Sequence, residues 1–175
     1  MPRGRPKKVK YFEGITVSVT GYKWTPGTHY IKKTLSREQY SQFQLYIAET
    51  LRTEIIHAIE KQRYAKGTIY RWAPLSINYL RYKVRHKLST NIWEATGQLK
   101  RNIQVFPRGN WLVVGFKKFD CYPNTGISFN RIARYVEYGG VRMPPRPLFR
   151  AVTEYIRRNI YRYYKKFERE VLGIK

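Results

Sequence analysis

An enzyme needs an acid, a base or a nucleophile held beside its partner, and this chain offers few such groups. The candidates are 11 carboxylates, three histidines and one cysteine in 175 residues. Glu38, Glu49, Glu54 and Glu60 stand singly among basic and polar neighbours, the pattern of a solvated helix face rather than of an acid–base pair. Asp120 has no acid near it in sequence, whereas a magnesium nuclease wants two or three clustered acids. His29, His57 and His86 lie far apart and Cys121 has no second cysteine, so neither a zinc site nor an internal disulfide is expected. A glycine-rich phosphate loop and a nucleophile elbow are both missing from the sequence. The expectation is a protein with no catalytic residues, no metal and no cofactor.

The other chemistry available is charge. Lys and Arg total 35 against the 11 acids, a formal +24. A subunit so unbalanced repels itself unless a polyanion lies nearby, and nucleic acid is the first candidate. Residues 1–10 hold five of the positive charges and two prolines; they read as a flexible basic arm, about 33 Å in reach when extended. Within it, Pro2-Arg3-Gly4-Arg5-Pro6-Lys7-Lys8 resembles an AT-hook: glycine admits the backbone to a narrow groove, and arginines enter it. Arg3, Arg5, Lys7, Lys8 and Lys10 are the candidate DNA contacts; a general phosphate-binding arm or an assembly tether explains them as well. The 16 tyrosines interleave with basic residues, as in Tyr79-Leu80-Arg81-Tyr82-Lys83 and Tyr161-Arg162-Tyr163-Tyr164. That interleaving suits base stacking, although at helical spacing Tyr155 and Tyr163 fall on a core stripe.

The length suits one domain, residues 11–175, behind the arm, and 42% hydrophobic residues suffice for a core without staples. No apolar run approaches a membrane span or a signal peptide, so a soluble protein of a reducing cytoplasm is expected. Ile15 to Val19 alternates like a half-buried strand and ends in turns at Gly21 and 25–27. Ser36-Arg37-Glu38-Gln39 is a capping box before Tyr40, Phe43, Ile47, Leu51, Ile55 and Ile59, predicting a long amphipathic helix over 36–65. A second helix is predicted over 75–88, with Leu75, Tyr79, Leu80, Val84 and Leu88 as its apolar face. Thr96 to Leu99 reads as a turn into a hairpin, with strands near 103–106 and 111–116 around a turn at 107–110. After an exposed loop over 117–128, a short helix over 129–138 runs into Gly139-Gly140. Pro147 then suits the first turn of a final helix over 147–171, with Leu148, Val152, Tyr155, Ile156, Asn159, Ile160, Tyr163 and Phe167 as its buried stripe. The fold class is α+β: a small antiparallel sheet packed with two long amphipathic helices, plus the basic flexible arm.

Three segments carry a family resemblance. They are Trp72-Ala73-Pro74-Leu75-Ser76; Thr96-Gly97-Gln98-Leu99-Lys100-Arg101-Asn102-Ile103; and Ile132 to Gly140 followed by Met143-Pro144-Pro145-Arg146-Pro147-Leu148-Phe149. In this order and spacing they resemble the tail-completion and head–tail joining (neck) proteins of long-tailed phages. The resemblance implies a small α+β subunit that closes a homo-oligomeric ring of roughly six or twelve copies around the DNA channel. It also implies a virion location after synthesis in the host cytoplasm, and portal, adaptor or tail proteins and packaged DNA as neighbours. Residues 1–35 have no counterpart in that family, and the charge is high for it. Tyr138, Gly139, Gly140, Pro144, Pro145, Arg146 and Pro147 are the candidate subunit interface, with Arg146 placed either to pair with a carboxylate of its own or a neighbouring subunit or to belong to a helix-entry turn that stabilises the fold alone. The competing expectation is a DNA-binding protein that uses the arm and a basic surface.

Overall fold

The structure, a computed structural model, describes residues 16–18, 35–62, 72–108, 111–117, 119–123, 125–141 and 143–174. The arm, the turns expected at Gly21 and 25–27, and residues 63–71 lie outside that set. In chain order the elements are β1 (Thr16–Ser18), α1 (Arg37–Glu60), α2 (Ile77–Arg85), α3 (Gln98–Arg101), β2 (Gln104–Arg108), β3 (Trp111–Gly115), α4 (Phe129–Tyr138), α5 (Phe149–Arg158) and α6 (Ile160–Glu170). The fold is α+β.

α1 begins as the sequence says. The Ser36 hydroxyl accepts from the Gln39 N–H at 3.2 Å, and the Gln39 side chain accepts from the Ser36 N–H at 3.0 Å, so two otherwise orphaned donors are satisfied reciprocally. Phe43, Ile47, Leu51, Ile55 and Ile59 are all buried. The helix ends at Glu60, short of the 65 expected.

The three strands form an antiparallel sheet in the order β1–β3–β2. β2 and β3 are a hairpin with Val105 opposite Val114, and β1 pairs through Thr16 opposite Gly115. Residues 113–116 are buried without alternation, as a central strand covered on both faces must be. α1 packs on β3 and on the two C-terminal helices, and α5 packs on β1. Edge-on aromatic contacts tie these layers together: Phe43 meets Phe167 at 5.2 Å between ring centres, and Phe149 meets Phe116 at 6.0 Å and Trp93 at 5.9 Å.

Four sequence expectations need correction. Thr96 to Leu99 is not a simple turn: Gly97, at φ +77°, opens the single-turn helix α3, a left-handed step that glycine takes without a Cβ penalty. The final helix is two helices, α5 and α6, separated at Asn159, whose side chain bonds back to the Tyr155 carbonyl at 2.8 Å and competes with the helical ladder. In α6 the buried tyrosine is Tyr164, not Tyr163; Tyr163 is half-buried, and burial pushes its phenol up to about 12. Around α2 the expected apolar face is only partly inward: Leu75, Leu80 and Leu88 are half-buried, but Tyr79 and Val84 point to solvent. Val84 is 64% exposed and Tyr79 45%, whereas Lys83 is only 2% exposed.

Candidate functional site

The third motif segment folds back on itself at the end of α4. Gly139 has φ +77° and ψ −174°, and a Cβ there would stand 2.6 Å from the Met143 carbonyl oxygen and 2.8 Å from the Pro145 nitrogen. Only glycine permits that approach. Gly140 and Met143 then exchange main-chain bonds of 2.8 and 3.2 Å, and the Arg146 N–H donates to the Val136 carbonyl at 2.8 Å. The prolines at 144, 145 and 147 lead the chain on to α5.

This fold-back brings Glu137 beneath the start of α5. Its Oε2 accepts from the N–H groups of Leu148 (2.7 Å) and Phe149 (3.1 Å), and its Oε1 from Arg150 (3.0 Å). The residue preceding α5, Leu148, has no side chain that can cap, so a carboxylate from the previous helix satisfies the donors instead. Glu137 is 0% exposed. Burial raises its carboxyl above the ordinary range, and the three N–H bonds and the Arg150 charge offset part of that rise.

Arg146 runs the opposite way. It is 4% exposed, and its Nε and Nη2 donate to the carbonyls of Ala73 (2.7 Å) and Pro74 (2.8 Å). Among the described residues Arg146 pairs with no carboxylate, one of the two roles expected from sequence; it forks onto the main chain of the first motif segment. Trp72 Nε1 donates to the Pro147 carbonyl at 2.6 Å, and Trp93 Nε1 to the Arg146 carbonyl at 2.9 Å. Pro147 is buried and precedes α5 by two residues, outside the first turn where sequence placed it. Close by, the Lys83 ammonium donates to the Asn91 and Glu94 carbonyls, both at 2.6 Å, and burial lowers its pKa. Segments more than seventy residues apart in sequence (Arg146 and Ala73 are 73 apart) thus meet in one buried polar knot. Its charged groups bond to main chain throughout, which spends them on holding the fold.

Around the knot, Tyr138, Gly140, Pro144 and Pro145 reach the surface, Gly139 is half-buried, and Arg146 and Pro147 lie inside. The Arg150 guanidinium stands 5.6 Å from the Tyr138 ring centre, and Arg131 stands 5.9 Å from that of Tyr135, cation–π geometry in both cases. The acids are largely committed elsewhere. Glu49, Glu60, Glu94, Glu154, Glu168 and Glu170 make ion pairs within the subunit, and Asp120 accepts from the Lys117 N–H. Among the described residues these ion pairs engage Arg52, Lys100, Arg158, Lys165 and Lys166.

The candidate DNA contacts Arg3, Arg5, Lys7, Lys8 and Lys10 lie outside the described residues. Among the described residues no three His, Cys, Asp or Glu side chains gather as metal ligands, and no helix is long and apolar enough to cross a membrane. Sequence reasoning missed Glu137 and Lys83. A signal for Glu137 was present: it is the single acid between Asp120 and Glu154, two residues before a double-glycine turn. No protein-family model matches the chain, and neither a curated protein nor a solved structure shows significant similarity to it.

Proposed function

We propose that this chain is a structural subunit of a ring at the head–tail junction of a long-tailed phage, closing around the DNA channel. The observation that carries the reading is the convergence of distant motif segments. The Trp72-Ala73-Pro74 segment and the Glu137-to-Phe149 segment, picked out by resemblance alone, bond to each other in the knot. Two of the three segments are thereby parts of one rigid unit. The buried Arg146 and Pro147 stiffen, from beneath, a surface loop that presents Tyr138, Gly140, Pro144 and Pro145 to a neighbour. A stiff loop loses little entropy on docking. Basic residues around a channel would in turn be offset by the DNA within it.

The test is the particle mass of the full chain, alone and mixed with portal or tail-tube protein, together with electron micrographs. A closed ring, weakened by Tyr138→Asp, supports the reading; a chain that stays monomeric with every such partner refutes it. The AT-hook-like sequence at Pro2–Lys8 favours a second reading, a DNA-binding protein acting through its arm. Deleting residues 1–10 would then abolish a preference for A·T-rich duplex, and an unchanged isotherm would remove that alternative.

A further inference from the structure

α2 presents most of its surface to solvent, and Lys83 is its one buried residue. Tyr79, Tyr82 and His86 follow at three- and four-residue spacing, so their rings stand in a row. Tyr79 and Tyr82 are 9° from parallel with centres 6.0 Å apart, and His86 lies 4.3 Å beyond Tyr82. Arg81 and Arg85 run one turn apart beside the row. Tyr82 is 50% exposed and Tyr79 45%, with the Lys83 ammonium 5.5 Å from the Tyr79 ring centre; a half-exposed aromatic row on a short helix calls for an occupant.

Three observations say what kind. Residues 72–93 contain no Asp or Glu. Arg81, Arg85 and Lys87 form no ion pair with any described residue, whereas Arg158, Lys165 and Lys166 on the C-terminal helices each have a glutamate. The outward stance of the rings is also fixed from beneath, because the Lys83 ammonium is anchored to two carbonyls where an apolar side chain would ordinarily dock. A second copy of a +24 chain is a poor electrostatic match for this face. A polyanion is a good one.

We propose that the outer face of α2 binds a nucleic-acid strand, with unpaired bases stacked on Tyr82 and Tyr79 and phosphates held by Arg81 and Arg85. Every base has a π-face, so such a platform takes a strand with little regard to sequence. A duplex hides those faces and would use the arginines alone. This goes beyond the ring reading and does not depend on it.

The experiment uses the full chain and a labelled oligothymidine of about 16 nucleotides, followed by fluorescence anisotropy over a range of salt, with far-ultraviolet circular dichroism to check folding. Tyr82→Ala is expected to weaken binding by roughly 5- to 100-fold, while Tyr82→Phe, which keeps the ring, binds as the parent does. Arg81→Gln with Arg85→Gln should flatten the slope of log affinity against log salt by about 1.4, two phosphate contacts' worth. Binding that ignores Tyr82→Ala overturns the proposal. So does a duplex of equal length that binds more tightly and is equally indifferent to Tyr82. If Tyr82→Ala instead blocks ring assembly and leaves oligonucleotide binding intact, the face belongs to a protein neighbour and the proposal fails. A chain that never forms a ring yet shows the Tyr82 effect keeps this inference and refutes the ring.

Discussion

Replacing Glu137 by alanine takes the acceptor away from three main-chain donors at once. The Leu148 and Phe149 N–H groups are buried, and that of Arg150 is partly so. Each orphaned buried donor costs ~1–3 kcal/mol, so the first two together cost roughly 2–6 kcal/mol, and the third reaches water more cheaply. The vacated volume adds to this, while removing a desolvated charge subtracts. A net loss of about 3–5 kcal/mol is expected, a large part of the ~5–15 kcal/mol that typically holds a domain folded. Glutamine at 137 behaves differently. Its amide oxygen can keep the Leu148 and Phe149 bonds, but its NH2 then faces the Arg150 N–H, donor against donor, so Glu137→Gln should cost about 1–3 kcal/mol at neutral pH, less than alanine. The pH dependence follows from the raised carboxyl. Glu137 contributes stability that is full below the ordinary glutamate pKa of 4.5 and is lost as pH rises through its higher folded value. The parent should therefore gain on Glu137→Gln as pH is lowered from neutral toward that value. Urea unfolding followed by circular dichroism at a series of pH values reads all three quantities. Alanine and glutamine variants of equal stability, or an alanine variant within about 0.5 kcal/mol of the parent, would refute the capping argument.

The other predictions concern the same knot. Gly139→Ala should cost about 2–4 kcal/mol in thermal or urea melts, because its Cβ meets main-chain atoms that cannot yield. Gly140→Ala, with nothing closer than 3.9 Å, should stay within about 0.5 kcal/mol. Arg146→Lys keeps the charge but loses the planar fork to Ala73 and Pro74, and a destabilisation of about 1–3 kcal/mol is expected. Lys83→Met removes a donor shared by two carbonyls; it should cost about 1–3 kcal/mol, and hydrogen exchange should quicken around residues 88–95 if those carbonyls fix the loop.

Local rules made much of this legible in sequence. The capping box of α1, its five-residue buried stripe, the β2–β3 hairpin and the α4 helix running into Gly139 each follow from short-range stereochemistry. The failures share one cause. Val84 belongs to the apolar face and Lys83 does not when a helix's buried side is read from its own residues. What decides the matter is a pair of carbonyls at Asn91 and Glu94 that only tertiary structure brings near. The break at Asn159 was masked by a stripe whose spacing runs unbroken through it. Glu137 looked like one more helix charge, and its partners lie 11 to 13 residues on, past a turn whose geometry sequence leaves open. The aromatic and basic character of the α2 face was plain, but its exposure was not.

The knot also bears on the order in which the chain can fold. α1 and the β2–β3 hairpin need only near neighbours, so they can form while much of the polypeptide is still unstructured. The Arg146 fork onto Ala73 and Pro74 closes a loop of more than seventy residues, and that closure entropy is spent before any bond is returned. α5 cannot have its buried donors satisfied until α4 has formed and turned back through Gly139. The surface loop carrying Tyr138, Pro144 and Pro145 therefore depends for its shape on the helices beneath it being joined. On the ring reading, a chain still on its way to the native state would have no such loop to offer a neighbour, which would tie assembly to completed folding.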